Sequence, residues 1–181
     1  YGTSGMHLGA NAEYICLPEK AVFIKKPDEI SHNDAVASLF GGQTAIHFLN
    51  TKAKIEKGQK ILINGASGSV GTASIQLAKY LGAEVTGVCS TANVELVKSL
   101  GASKTIDYTN ESIETSKETY DIVLDTVGNL SLLRCKKLLK EQGKFIAINA
   151  GLFTNLSAIL NKKLISGVAE ERKEYIGLLK K

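Results

Sequence analysis

A chain of 181 residues, 44% hydrophobic and 22% charged with only 2 prolines, can bury one sizeable core and is no disordered tract. Its formal net charge of +4 comes from scattered lysines that never exceed pairs such as Lys162-Lys163, which argues against a nucleic-acid footprint. No apolar run is long enough to cross a bilayer, no signal-peptide pattern opens the chain, and Cys16, Cys89 and Cys135 form no C-x-x-C pair. Reduced thiols, a cytoplasmic setting and no membrane partner are expected. The chain opens on Tyr1 rather than Met, as expected for a piece of something longer.

Residues 12–17 and 21–24 predict two short strands around Pro18. Ser31 precedes a helical pattern with Asp34 three residues on, a capping-box variant. Gly41-Gly42 predicts an interruption, and a second helix follows over 43–54 with Ala45, Phe48 and Leu49 on one face. From Lys60 onward the pattern is regular. Strands are predicted over 60–64, 84–89, 104–107, 121–126, 144–149 and 164–169. Helices are predicted over 69–81, 92–100, 130–141 and 154–160, while 109–119 is polar and unassigned. Six strands alternating with helices predict an α/β fold with a doubly wound, six-stranded parallel sheet, its strands apolar on both faces.

Between the first of these strands and its helix lies the turn Gly65-Ala66-Ser67-Gly68, with Gly71 beyond it. Ala66, Gly68 and Gly71 occupy the three positions of a dinucleotide fingerprint, where small residues let a backbone approach a pyrophosphate at a helix N-terminus. A ligand-free tight turn is the competing reading, and a nucleoside triphosphate is disfavoured because no Gly-Lys-Ser/Thr closes the loop. At the end of the second strand, Cys89-Ser90-Thr91 stands where an NAD site usually places a carboxylate. A carboxylate there would repel a 2′-phosphate by roughly 4 kcal/mol at contact distance, with an effective dielectric near 20. Its absence, with two hydroxyls in its place, favours NADP(H) over NAD(H), although Thr91 is also a candidate helix cap.

Several phrases together resemble the medium-chain dehydrogenase/reductase superfamily, and within it the zinc-free quinone oxidoreductase branch typified by zeta-crystallin. They are Gly9-Ala10-Asn11-Ala12-Glu13-Tyr14, Gly42-Gln43-Thr44-Ala45, the Gly65–Gly71 turn, Leu100-Gly101-Ala102 and Ile106-Asp107-Tyr108. Asp125-Thr126-Val127-Gly128, Gly143-Lys144-Phe145 and Leu164-Ile165-Ser166-Gly167 complete the set, collinear over nearly the whole chain. The resemblance implies that residues 1–30 are the end of a GroES-like catalytic domain and 31–181 a Rossmann domain. It also implies that most of the catalytic domain lies outside this chain, so the chain alone is expected to turn over little substrate.

The family's Cys zinc ligand falls at Phe40, four residues before Thr44, and His7, His32 and His47 show no ligand spacing, so no zinc is expected. Carried over by position, Ser67, Gly68, Ser69 and Val70 would line the pyrophosphate, with Ala66 and Gly71 shaping the turn. Thr44 would lie near the nicotinamide, and Ser90, Asn93 and Tyr108 near the adenosine 2′-phosphate. Asn93 departs from the Lys or Arg common in that neighbourhood. Val127, Gly128, Asn149, Ala150 and Gly151 would end the fourth and fifth strands beside the cofactor, and no catalytic acid is assigned. The implied reaction is hydride transfer from NADPH to a quinone, an activated enone or a related small carbonyl compound. The sixth strand would pair across the two-fold axis of a homodimer. Rival readings are an NAD-dependent zinc-type alcohol dehydrogenase, disfavoured by Phe40, an S-adenosylmethionine methyltransferase, and a non-catalytic nucleotide-binding dimerisation module.

Overall fold

A computed structural model describes residues 1–3, 12–149, 151, 155 and 158–179. Six parallel strands form one sheet in the order β3-β2-β1-β4-β5-β6. They are β1 (Lys60–Asn64), β2 (Glu84–Cys89), β3 (Lys104–Asp107), β4 (Tyr120–Asp125), β5 (Leu139–Ala147) and β6 (Leu164–Ser166). Alternate residues of each strand go to opposite faces. Ile61 and Ile63 therefore join Phe48, Ile75, Val97 and Leu124 in one core, while Leu62 joins Val88, Val123, Leu138 and Phe145 in the other. This two-sided burial is why the strands read as continuous apolar runs.

Helix α1 (His32–Ala45) starts at Ser31, whose Oγ accepts from the Asp34 N–H at 3.1 Å and donates to the Asp34 carboxylate at 2.7 Å. Contrary to expectation, Gly41-Gly42 does not break this helix. A Cβ on Gly41 would stand 2.3 Å from the Ser69 carbonyl oxygen, and one on Gly42 would stand 2.4 Å from Leu179 Cδ2. The glycines permit close packing instead. The helix then widens to i→i+5 bonding over Ile46–Ala53 and ends at Lys54, whose backbone is left-handed at φ 55°. Buried His47 in this widened segment faces the last helix, α4 (Lys173–Leu178), across 3.5 Å to the Tyr175 hydroxyl.

Helix α2 (Ser69–Tyr80) follows β1, and a short turn, Thr91–Asn93, leads into α3 (Val94–Ser99) after β2. Other elements depart from the predicted pattern. The helix expected over 130–141 reduces to one tight turn, Arg134–Lys137. The Leu138 carbonyl accepts from Tyr120 N–H at 2.7 Å, drawing Leu139 alongside β4 and starting β5 five residues early. At the amino end, the strands expected at 12–17 and 21–24 amount to a single antiparallel bridge between Gly2 and Phe23, and Tyr14 is 90% exposed. No strand among the described residues pairs with residues 12–17. β6 ends at Ser166 because Gly167 turns at φ 133°. Of the helix expected over 154–160, Asn155 and residues 158–160 are helical and the rest lies outside the described residues. The polar 109–119 connection contains one tight turn, Ile113–Thr115.

Candidate functional site

The glycine turn sits at the carboxyl end of β1. Gly65 adopts φ +79°, a conformation that side chains resist, and the Gly68 N–H folds back onto the Gly65 carbonyl at 3.0 Å. Gly68 then serves as the N-cap of α2 and accepts from Thr72 N–H at 2.8 Å. The backbone N–H groups of Ser67, Ser69, Val70 and Gly71 find no acceptor among the described residues. They are the donors that an anion at this helix end would take up. A Cβ on Gly71 would stand 2.1 Å from the Gly65 carbonyl oxygen, so glycine is required for the helix to meet the turn. Ala66 is fully buried and lies against Gly87 of β2, where a Cβ would come within 3.1 Å of the Ala66 Cβ. It shapes the turn from beneath. Ser67, Gly68 and Ser69 also form one wall of a cavity of about 910 Å³ between α1, α2 and the end of α4.

At the end of β2, Ser90 rather than Thr91 caps the following turn. Ser90 Oγ accepts from Asn93 Nδ2 at 3.1 Å, and its own proton meets no acceptor among the described residues. The Thr91 hydroxyl donates to the Asp107 carboxylate at 2.5 Å, so its proton is already committed. Asp107 ends β3 and also accepts from Thr109 and Asn110. The Thr91 hydroxyl, then that of Thr109, holds the Asp107 carboxyl below the usual carboxylate range, so it is anionic at neutral pH. Tyr108 follows Asp107 directly and is 61% exposed. No Lys or Arg among the described residues bonds to Ser90, Thr91, Asn93 or Tyr108.

The third part of the site lies after β4. Asp125 is fully buried and accepts from Asn64 Nδ2 at 2.9 Å and from the backbone N–H groups of Val127, Gly128 and Leu130. Val127 is exposed, and Gly128 turns at φ +90° against Asn149, whose amide donates to the Thr126 carbonyl at 3.1 Å. Gly151 is exposed with open space where a side chain would go, and Ala150 lies outside the described residues. Thr44 is buried on α1, its hydroxyl donating to the Phe40 carbonyl at 2.8 Å. It is one helical turn from Gly41, which abuts the start of α2.

The strand ends thus bring the glycine turn, the Ser90 group and the Val127–Gly128 loop to one edge. Asp107 and Asp125 entered the sequence reading only as parts of family phrases and Asn64 only as a strand end, none with a role in the site. The available signal was a polar residue closing each of three apolar strands.

Phe40, 71% exposed, offers no metal ligand. Among the described residues no three His, Cys, Asp or Glu side chains converge. No helix among them is long and apolar enough to cross a membrane.

The pattern of the family described as zinc-binding dehydrogenase matches residues 69–175. The chain is 37% identical over 146 residues to the 2-methylene-furan-3-one reductase of Solanum lycopersicum, covering 80% of this chain and 37% of that protein. The quinone oxidoreductase of Coxiella burnetii superposes with a TM-score of 0.77 at 27% identity, covering 86% of this chain and 50% of that one. The Escherichia coli quinone oxidoreductase complexed with NADPH gives 0.67 at 26% identity, covering 85% and 52%. The chain therefore spans about half the length, or less, of these proteins. A six-stranded parallel sheet in 3-2-1-4-5-6 order, a glycine turn at its central edge and these matches make this chain the NAD(P)-binding region of a quinone oxidoreductase-like member of the medium-chain dehydrogenase/reductase superfamily.

Proposed function

We propose that the chain is the cofactor domain of an NADPH-dependent, zinc-free reductase that acts on a quinone, an activated enone or a related small carbonyl compound. One observation carries this reading: the open N–H groups of Ser67, Ser69, Val70 and Gly71 share the sheet edge with Ser90, a neutral residue where NAD sites usually carry an acid. The relatives named for NADPH binding and for furanone reduction support it.

When bound, a nicotinamide cofactor supplies the hydride from its ring carbon 4. The chain's part is placement. Ser67, Ser69, Val70 and Gly71 donate backbone N–H groups to the pyrophosphate, and the α2 dipole favours the negative charge. Ser90 donates its free hydroxyl proton to the 2′-phosphate, with Asn93 and Tyr108 flanking it. Val127, Gly128, Asn149, Ala150 and Gly151 border the nicotinamide half, near Thr44. Residues 1–30 belong to the GroES-like catalytic domain in this reading. β6, one of the two edge strands of the sheet among the described residues, pairs with a second copy of the chain.

A second reading, NADH as the working cofactor, is favoured by one observation. The anionic Asp107 touches Thr91, and no cation bonds to this group among the described residues. Separate titrations with NADPH, NADH and S-adenosylmethionine, followed by fluorescence or melting temperature, decide the matter. NADPH is expected to bind much more tightly than NADH. Equal affinities would overturn the 2′-phosphate assignment, and a response to S-adenosylmethionine alone would overturn the whole reading.

A further inference from the structure

We infer that Asp125 is a positioning residue that locks the loop carrying Val127 and Gly128 to the glycine turn, so that the two halves of a bound dinucleotide meet one rigid edge. The inference rests on the reading that this edge binds NADP(H).

Asp125 ends β4 opposite Asn64, which ends β1, and the two are in register. Its Oδ1 accepts from Asn64 Nδ2 at 2.9 Å, Val127 N–H at 3.0 Å and Gly128 N–H at 3.1 Å, while Oδ2 accepts from Leu130 N–H at 2.9 Å. The second Asn64 amide proton goes to Asn129 Oδ1 at 2.7 Å. Thr126 closes the circuit, its N–H and hydroxyl both donating to the Asn64 carbonyl at 3.1 and 2.8 Å. Gly65, the first residue of the glycine turn, follows Asn64 directly and faces Thr126 Oγ1 and Val127 Cγ2 too closely to carry a side chain.

Nothing apolar could do this work. Val127, Gly128 and Asn129 are exposed, so side-chain burial does not hold the loop. A fully buried carboxylate with no Lys or Arg bonded to it among the described residues is costly unless its donors repay it. Here every donor is an N–H, three of them from the loop backbone, and charge-assisted bonds of this kind are about twice as strong as neutral ones. An amide in its place would turn an NH2 group toward one of those N–H donors and break the set. The acid therefore fixes the loop relative to the turn, and none of its hydrogen bonds reaches the Ser90–Asp107 group.

The test is Asp125→Asn, with two probes titrated calorimetrically: NADPH, which spans both halves of the edge, and 2′,5′-ADP, which carries only the adenine half. NADPH is expected to lose about tenfold or more in affinity, roughly 1.4 kcal/mol, while 2′,5′-ADP stays within about twofold. Amide exchange at Val127, Gly128 and Leu130 is expected to accelerate while β1 and β4 remain protected. Equal losses for both probes, or no loss for either, would overturn the inference.

If the variant does not fold, Asn129→Ala on the exposed loop replaces it, because it removes only the second Asn64 bond. About a threefold loss for NADPH alone is expected, and an unchanged NADPH affinity would overturn the inference. Failure of the unmodified chain to bind either probe would instead overturn the dinucleotide reading, and this inference with it.

Discussion

Replacing Gly71 and Gly68 separately by alanine separates the packing role of the glycine turn from its binding role. At Gly71 the new Cβ lands 2.1 Å from the Gly65 carbonyl oxygen and 2.8 Å from two Ala66 backbone atoms. Ordinary contact needs about 3.4 Å, so α2 must retreat from the turn by roughly 1.3 Å. Overpacking against rigid backbone costs about 1–3 kcal/mol or more. The gain in helix propensity, at most about 1 kcal/mol, offsets only part of it. A net loss of about 2 kcal/mol lowers the melting temperature of a domain this size by about 4–8 °C. At Gly68 the backbone is extended at φ −78°, and the nearest atom to a new Cβ is the Gly65 oxygen at 3.4 Å, an ordinary contact. Stability there changes by less than about 1 kcal/mol. The methyl group nevertheless stands at the mouth of the N–H cluster, and NADPH affinity is expected to fall at least about tenfold. Thermal melts and calorimetric titrations of both variants check this. A Gly71→Ala chain that melts with the unmodified protein, or a Gly68→Ala chain that binds NADPH equally well, would refute the geometry.

Three further expectations concern ionisable groups. Asp107→Asn removes the anion beside Thr91, so the preference for NADPH over NADH is expected to rise by about threefold. An unchanged ratio would show that Asp107 does not reach the 2′ position. Burial, then the Lys52 charge, lowers the His47 pKa, with Arg172 adding to the effect and Glu170 opposing it. The unfolded chain therefore takes up this proton more readily, and the His47 contribution is complete above about pH 6.5 and is lost as pH falls toward the folded-state value. The melting temperature is expected to fall between pH 7.5 and 5.5 by less in His47→Gln than in the parent, and equal falls would count against it. Burial, then the Asp125 carboxylate, raises the Cys135 thiol to about 11, and Cys89 is buried while Cys16 is exposed. A thiol-specific chromogenic reagent at pH 7.5 is expected to label Cys16 quickly, and Cys89 and Cys135 only after denaturation.

The sequence was most legible where one physical demand dominated. β1 and β2 run over the predicted residues because strands buried on both faces are largely apolar and stop at turn residues. The glycine turn was legible for a similar reason, since a steric demand at Gly71 leaves no alternative residue. It failed where two demands compete. Gly41-Gly42 reads as a helix break by propensity, yet close packing against α2 retains the glycines inside the helix. Residues 130–141 carry helical spacing, but pairing of Leu139 with Tyr120 draws the chain into β5. The Asp107–Thr91 bond joins residues sixteen apart that meet only once β2 and β3 pair, so no local pattern announces it.

Parallel pairing also explains why the polar network lies where it does. The register aligns Asn64 with Val88 on one side and with Asp125 on the other, then Cys89 with Asp107 and Asp125 with Ala147. Every strand therefore ends at the same edge, and whatever follows each strand is delivered there. In the observed order, chain connections run outward in both directions from between β1 and β4, so a crevice opens at that switch point. Loops flanking a crevice lack the neighbouring element that would hold them by apolar packing. Asn64 and Asp125 sit on its two sides, and their bond at 2.9 Å spans it. A buried acid is an expensive fastening compared with a leucine, but its bonds go to backbone N–H groups and need no bulky side chain over the crevice. The loop is thus fastened through its own backbone, with Val127, Gly128 and Asn129 left exposed.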